Sequence, residues 1–69
     1  MAKRFNARYV IFETNGTRSH KEIDFDYPEN KDRSTLYYEE KQSGRVSRII
    51  ANLTGYDPKQ IELKELFPL

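Results

Sequence analysis

The first 27 residues of the chain contain two stretches of apolar and polar residues that flank an Asn-Gly pair. Segment 4–13 is rich in aromatic and β-branched residues, and segment 17–27 alternates apolar residues with carboxylates. Both patterns are typical of β-strands. Because Asn15-Gly16 is a strong signal for a tight turn, the pattern predicts an N-terminal β-hairpin.

The same alternation selects the length of the hairpin loop. A two-residue loop would place the apolar residues of the first strand on the same face as the carboxylates of the second. A three-residue loop ending at Gly16 instead pairs Glu13 with Thr17 and aligns Phe5 with Phe25. The register of a strand is set by the face that it buries, and a left-handed position at the end of the loop suits glycine. We therefore predict the three-residue loop.

Segment 34–41 fits either a helix or a strand. If it continued into one long helix with the residues that follow, Glu39, Gln42 and Ser43 would lie in the apolar stripe of that helix. A helix needs an uninterrupted stripe to bury one face. The threonine and the two tyrosines of the segment also favour a strand. We therefore predict a third strand over residues 34–41.

A short helix is predicted next. Four apolar residues recur there at helical spacing: Val46, Ile49, Ile50 and Leu53. Ser43 is a suitable cap for a helix that begins near Gly44-Arg45, and Gly55 is a suitable stop. A helix of three turns is too short to be stable alone, so we expect it to pack on the sheet.

The C-terminal segment 57–67 has two interpretations. Its first four residues resemble a helix start, whereas Ile61 and Leu63 alternate with charged residues as in an edge strand. We favour a short strand. The elements together predict one α+β domain over residues 1–69, with an antiparallel sheet of three to four strands, including the N-terminal hairpin, packed on one short helix. The predicted core includes Tyr9, Ile11, Ile23, Phe25, Val46, Ile49, Ile50 and Leu53.

Composition restricts the available chemistry. The chain has no cysteine and one histidine, which excludes disulfides and thiolate zinc sites and leaves no His-rich metal site. The isolated glycines form no phosphate-binding loop, and no serine lies in a nucleophile motif. We therefore predict a non-catalytic protein without metal or cofactor. No apolar run suits a signal peptide or a membrane span, so a cytoplasmic location without membrane contact is the expectation.

Two surfaces are candidates for binding. Apolar residues occupy both faces of the first strand, which is typical of a central strand covered on both sides, of a dimer contact, or of an exposed aromatic and basic patch. The candidate sheet patch comprises Arg8, Val10, Phe12, Arg18 and His20, with Tyr37 as an extension. The candidate helix face comprises Arg45, Arg48 and Asn52. Arginine and aromatic residues are enriched in protein interfaces and also engage nucleic acids.

The balance of charge bears on the choice between these partners. The net charge is only +1, with basic residues concentrated in segments 1–21 and 33–48 and acidic residues in 22–32. Low net charge weakens phosphate-driven binding. We therefore favour a small protein-interaction module or accessory factor that binds an unidentified protein or a second copy of itself, with nucleic-acid binding as the alternative. An origin in a phage or mobile element is a further hypothesis, based on size alone.

One resemblance concerns the order of the predicted elements. A three-stranded meander followed by a helix is similar to the DNA-reading arm-binding domains of phage and transposon integrases. The resemblance covers element order and no residue motif, and it implies nucleic-acid recognition through the sheet. A fold of this kind hosts many functions, so the likeness identifies no particular one.

Overall fold

The computed structural model describes residues 3–69 and contains an antiparallel sheet with two α-helices on one side. In chain order the elements are β1 (Lys3–Phe12), β2 (Arg18–Tyr27), α1 (Arg33–Ser43), α2 (Arg45–Thr54) and β3 (Ile61–Pro68). The strand order is β2-β1-β3, with β1 in the centre. The predicted α+β class and C-terminal edge strand are confirmed, although the sheet packs on two helices rather than one.

The hairpin has the predicted register. Phe5 lies opposite Phe25, and their rings stack with centroids 6.0 Å apart. The Glu13 N–H donates to the Thr17 carbonyl at 2.9 Å, which closes the three-residue loop. Gly16 has a φ of +88°, a left-handed conformation that costs glycine little. The alternation of β2 therefore determined the register correctly.

The prediction of a third strand over 34–41 is wrong, because this segment lies within α1. The Asp32 carboxylate caps the helix by accepting from the Thr35 N–H at 2.9 Å. The helix ends at Gly44, where φ is +66° and the N–H donates to the Glu40 carbonyl. The break at Gly44 removes the objection to a helix, since α1 and α2 bury separate stripes. Only Leu36 of α1 is fully buried, so its apolar period was too weak to detect.

The start of α2 differs from the prediction, whereas its end does not. Ser43 does not cap α2; it is the last residue of α1, and its hydroxyl donates to the Glu39 carbonyl at 3.2 Å. The Glu40 carboxylate instead accepts from the Ser47 N–H at 2.9 Å and from the Ser47 hydroxyl. Gly55 ends the helix as predicted, with a φ of +84°.

The C-terminal segment contains both a helical turn and a strand, one after the other along the chain. A single 3₁₀ turn, Pro58–Gln60, is capped reciprocally by Asp57 and Gln60, and β3 follows directly. β3 pairs with β1 and contains a bulge opposite Arg8 and Tyr9. Because the third strand follows the helices, the sheet is not a meander preceding a helix. The similarity in element order to the integrase domains therefore does not extend to this topology.

The core lies between the sheet and the helices. It includes most of the predicted residues, but Ile23 and Ile49 are only partly buried. Leu53 is 56% exposed, so its assignment to the core is wrong. It lies to one side of the buried stripe of α2, which is formed by Val46, Ser47, Ile50 and Ala51. Phe5 and Ala7 are also buried, on the face that the predicted register gives them. The core further contains residues that the prediction did not name: Tyr27, Leu36, Ala51, Ile61 and Leu66.

Candidate interaction surface

The sheet has an open face, defined here as the side away from α1 and α2. Odd-numbered β1 residues such as Phe5 and Ile11 join the core, so the even-numbered residues lie on the open face. Register places one even-numbered β2 residue beside each of them. An antiparallel sheet commonly leaves one face to solvent. Four of the residues predicted for binding lie here together, at the hairpin end: Val10, Phe12, Arg18 and His20. We call them the hairpin-end patch.

The hairpin-end patch presents one aromatic ring and two basic side chains. Phe12 is 37% exposed, and the Arg18 guanidinium lies 5.5 Å from the centre of its ring. Val10 is only 2% exposed, because it is enclosed by longer side chains that include His20 and Glu62, its partners in register. The predicted apolar centre is therefore not an exposed pair. Phe12 supplies the exposed apolar surface, and Val10 lies two residues away on the same face of β1.

Arg8 lies between the hairpin-end patch and a more acidic part of the open face. Its Nε is 3.8 Å from the Glu22 carboxylate on β2, and Glu65 is its partner in register on β3. Its guanidinium also lies 5.3 Å from the centre of the Phe67 ring. Arg8 is thus flanked by carboxylates on both neighbouring strands, which offset its positive charge.

The remaining part of the open face is paired across β1 and β2. Arg4 forms an ion pair with Asp26 at 3.0 Å, and the Asn6 amide donates to Asp24 at 2.8 Å. These groups are exposed, so each contact stabilises the fold by less than about 1 kcal/mol. Their arrangement nevertheless places an acidic row along β2 beside a basic row along β1.

A shallow depression of about 510 Å³ crosses the middle of the open face. Its lining comprises three basic side chains, Arg8, Lys21 and Lys64, two carboxylates, Glu22 and Glu65, and the rings of Tyr9 and His20. Basic and acidic side chains lie side by side there, and the core residue Tyr9 contributes to the lining. The depression therefore offers charges of both signs to the polar groups of a partner.

The predicted helix face is not a continuous basic surface. Arg45 is directed into the molecule, where its guanidinium contacts Glu29 at 2.8 Å and Glu39 at 3.0 Å. It also lies 4.7 Å from the centre of the buried Tyr27 ring. The Glu29 hydrogen bond raises the pKa of Arg45, and the same bond lowers the pKa of Glu29. Two carboxylates of its own chain therefore already contact the Arg45 guanidinium.

The other helix-side candidates lie apart from the sheet patch. Arg48 and Asn52 are exposed on α2. The Tyr37 hydroxyl accepts a hydrogen bond from the Leu66 N–H at 2.8 Å, which attaches α1 to β3. Tyr37 is therefore an element of the helix–strand contact and does not extend the hairpin-end patch.

A second depression lies where α2 begins, beside the 3₁₀ turn. Helix N-termini can bind anions through free N–H groups. Here the Glu40 carboxylate already occupies the Ser47 N–H and hydroxyl, so this position is filled from within the chain. Arg48 and Lys59 on the rim are accompanied by Asp57. The depression therefore offers no free anion site.

Sequence reasoning missed several residues of the open face. Arg4 and Asn6 follow from the same alternation that identified Arg8 and were detectable in the sequence. Glu65 and Phe67 were not, since their placement depends on the pairing of β3 with β1 and on the bulge. The bulge shifts the alternation of β3 by one residue and thereby obscures which side chains share a face.

Comparison with known proteins does not assign the chain to a family. No protein-family model, curated protein or solved structure matches it. Among residues 3–69, no three His, Asp or Glu side chains are grouped so that they could hold a metal ion. In the same part of the chain, no helix is long and apolar enough to cross a membrane.

Proposed function

We propose that this protein is a non-catalytic interaction module that binds another protein through the open face of its sheet, centred on the hairpin-end patch. The exposed Phe12 ring, with Arg18 stacked on it, is the observation that carries the proposal. Aromatic and arginine side chains dominate the energy of protein interfaces when a partner excludes water from them. The pairing of β1 with β2 places these two residues opposite each other on a regular element, which lowers the entropic cost of binding.

The charges of the open face support a protein partner over a nucleic acid. Arg4 and Arg8 are matched by carboxylates, and the rest of β2 beyond His20 presents only acidic residues on this face. A phosphate backbone approaching the sheet would meet these carboxylates. Phosphate-driven binding requires several unopposed cations, which the face does not offer. A protein surface with both signs of charge can complement this pattern.

The partner's chemistry follows from the two parts of the face. Phe12 requires an apolar contact, and Arg18 beside it suits a carboxylate of the partner. Basic or amide groups of the partner can contact the acidic row that contains Glu22 and Asp24. We therefore propose a partner surface with an apolar centre, an acidic side and a basic side.

The first experiment measures nucleic-acid binding. Labelled single- and double-stranded DNA and RNA are titrated with the protein at low salt. The proposal predicts no salt-sensitive binding at micromolar protein concentration. Micromolar binding that weakens steeply with salt and disappears in an Arg8→Ala/Arg18→Ala variant would support the nucleic-acid alternative and contradict the proposal.

A second experiment identifies the residue at the centre of the contact. The wild-type protein captures partners from a lysate of the source cells, and affinity is then measured with each purified partner. Phe12→Ala should weaken binding by about 30-fold or more if Phe12 is the interface hot spot. Tyr38→Ala is the matched control, because Tyr38 is an aromatic residue 64% exposed on α1, away from the sheet. Equal losses in the two variants would refute the role of the open face.

A further inference from the structure

The two edges of the sheet differ in how they are covered. The β1–β2 register pairs Glu13 with Thr17 through a hydrogen bond, so the odd-numbered residues of β2 bond to β1. The even-numbered residues of β2 therefore direct their N–H and C=O groups outward. On the other edge, Tyr37 of α1 accepts from the outward N–H of Leu66. Within residues 3–69, no comparable side chain covers the outward groups of β2.

The outer edge of β2 carries a charge sequence that is self-complementary. Its even-numbered side chains, in order, are Arg18, His20, Glu22, Asp24 and Asp26. Basic groups occupy one end and carboxylates the other, and all of these side chains are exposed. An antiparallel copy of the same strand presents the opposite order. The charges at the two ends of the edge then face groups of opposite sign.

We propose that two copies of this chain associate by antiparallel pairing of their β2 edges, with Glu22 opposite Glu22 of the second copy. Arg18 then faces Asp26 of the second copy, and His20 faces Asp24, each twice by symmetry. The two sheets become one sheet of six strands. Unpaired strand edges are templates for such pairing, and backbone hydrogen bonds supply much of its stability.

The charges select this register over its neighbours. Centring the pair on Ile23 places Glu22 against Asp24 twice, and centring it on Asp24 places Glu22 against Asp26 twice. Centring it on Lys21 leaves fewer residues paired and places Lys21 against itself. Like charges directly opposite are unfavourable in a sheet. The chosen register has one such contact, Glu22 with its copy, and Arg8 lies 3.8 Å from Glu22 in each chain to offset it.

This inference goes beyond the proposed function, since it uses the backbone edge of β2. Arg18 and His20 of the hairpin-end patch contribute side chains to it, whereas the Phe12 ring on β1 does not. The absence of cysteine permits a direct test of the register. In the proposed dimer, the Cα atoms of residue 22 are about 5.5 Å apart, which a disulfide can span. The Cα atoms of residue 24 are offset by four residues, or about 13 Å. Under mild oxidation, Glu22→Cys should cross-link at least about tenfold faster than the control Asp24→Cys.

Sedimentation equilibrium of the wild-type protein measures the association itself. We expect a concentration-dependent monomer–dimer equilibrium. Arg18→Glu and Asp26→Lys, each alone, should weaken the homodimer about tenfold, because each change creates two like-charge contacts. An equimolar mixture of the two variants should recover association, since every end pair of the heterodimer then has opposite charges. Circular dichroism verifies that each variant is folded.

Three results would overturn the inference. They are a wild-type protein that stays monomeric up to millimolar concentration, equal cross-linking of the two cysteine variants, and a mixture that associates no better than its components. Phe12→Ala provides a separate check. It should leave the dimer unchanged, so loss of the dimer in Phe12→Ala would indicate contact through the open face instead.

Discussion

A network of polar contacts joins β2 to α1 through Tyr27 and Glu39. Tyr27 is fully buried, and its hydroxyl donates to the Glu39 carboxylate. Lys31 donates to the same carboxylate at 3.0 Å, and Arg45 contacts it at 3.0 Å. Glu39 is therefore the centre of a network that connects the end of β2, the following loop and both helices.

The structure allows the cost of removing the carboxylate to be estimated. Glu39→Ala leaves the buried Tyr27 hydroxyl without its acceptor, at a cost of about 1–3 kcal/mol. The ion pairs add less, because the Lys31 and Arg45 side chains are 35% and 32% exposed and solvent screens them. We expect Glu39→Ala to lower the free energy of unfolding by about 2–3 kcal/mol.

Urea denaturation followed by circular dichroism measures this loss. The matched control is Glu29→Ala. The Glu29 carboxylate also contacts Arg45, but it is 46% exposed and accepts from no buried donor. This substitution should cost clearly less than Glu39→Ala, because solvent screens the Glu29 carboxylate. A double-mutant cycle with Tyr27→Phe should give a Tyr27–Glu39 coupling of about 1–2 kcal/mol. A coupling below about 0.5 kcal/mol, or equal losses for the two carboxylates, would refute the reasoning.

Three further predictions concern stability. Ile50→Ala should cost about 2–5 kcal/mol in the same denaturation assay, and Leu53→Ala less than about 1 kcal/mol; similar losses would show that α2 is misoriented. Hydrogen bonds lower the pKa of Asp32, chiefly from the Thr35 N–H, and that of Glu29, chiefly from Arg45. Each carboxylate should therefore stabilise the fold at pH values above its ordinary pKa, 3.8 for Asp32 and 4.5 for Glu29. This stabilisation should be lost as the pH falls through the lowered pKa of the folded protein. A free energy of unfolding that is independent of pH between 5 and 2 would contradict this. Tyr37→Phe should increase hydrogen exchange at the outer edge of β3, and unchanged exchange would exclude the Tyr37 hydrogen bond.

The local parts of the fold were predictable because neighbouring segments determine them. The hairpin register followed from the alternation of Phe25 with carboxylates, and the end of α2 followed from Gly55. The identity of α1 was not predictable from apolar periodicity, since Leu36 alone is fully buried there. Its signals were the Asp32 cap and the break at Gly44, and the tertiary structure overrode the β-propensity of its tyrosines.

The open face was predictable only in part, because some of its contacts join segments that are distant in sequence. Arg18 and Phe12 meet because the hairpin places them opposite each other, which the sequence indicates. The burial of Val10 and the position of Glu65 depend on the pairing of β1 with β3, which is distant in sequence. The contact of Arg45 with Glu29 depends on the position of the loop between β2 and α1. Contacts of this kind appear only when the whole chain is assembled.

The most direct test of the proposed function is the mapping of backbone amide chemical shifts in ¹⁵N-labelled protein. The captured partner protein is added in one titration, and DNA and RNA oligonucleotides are added at low salt in others. We expect the partner to perturb residues around Phe12, Arg18 and His20 and the oligonucleotides to perturb none at equivalent concentration. Perturbations by the partner centred on Arg48 and Asn52, or by oligonucleotides on the sheet, would contradict it.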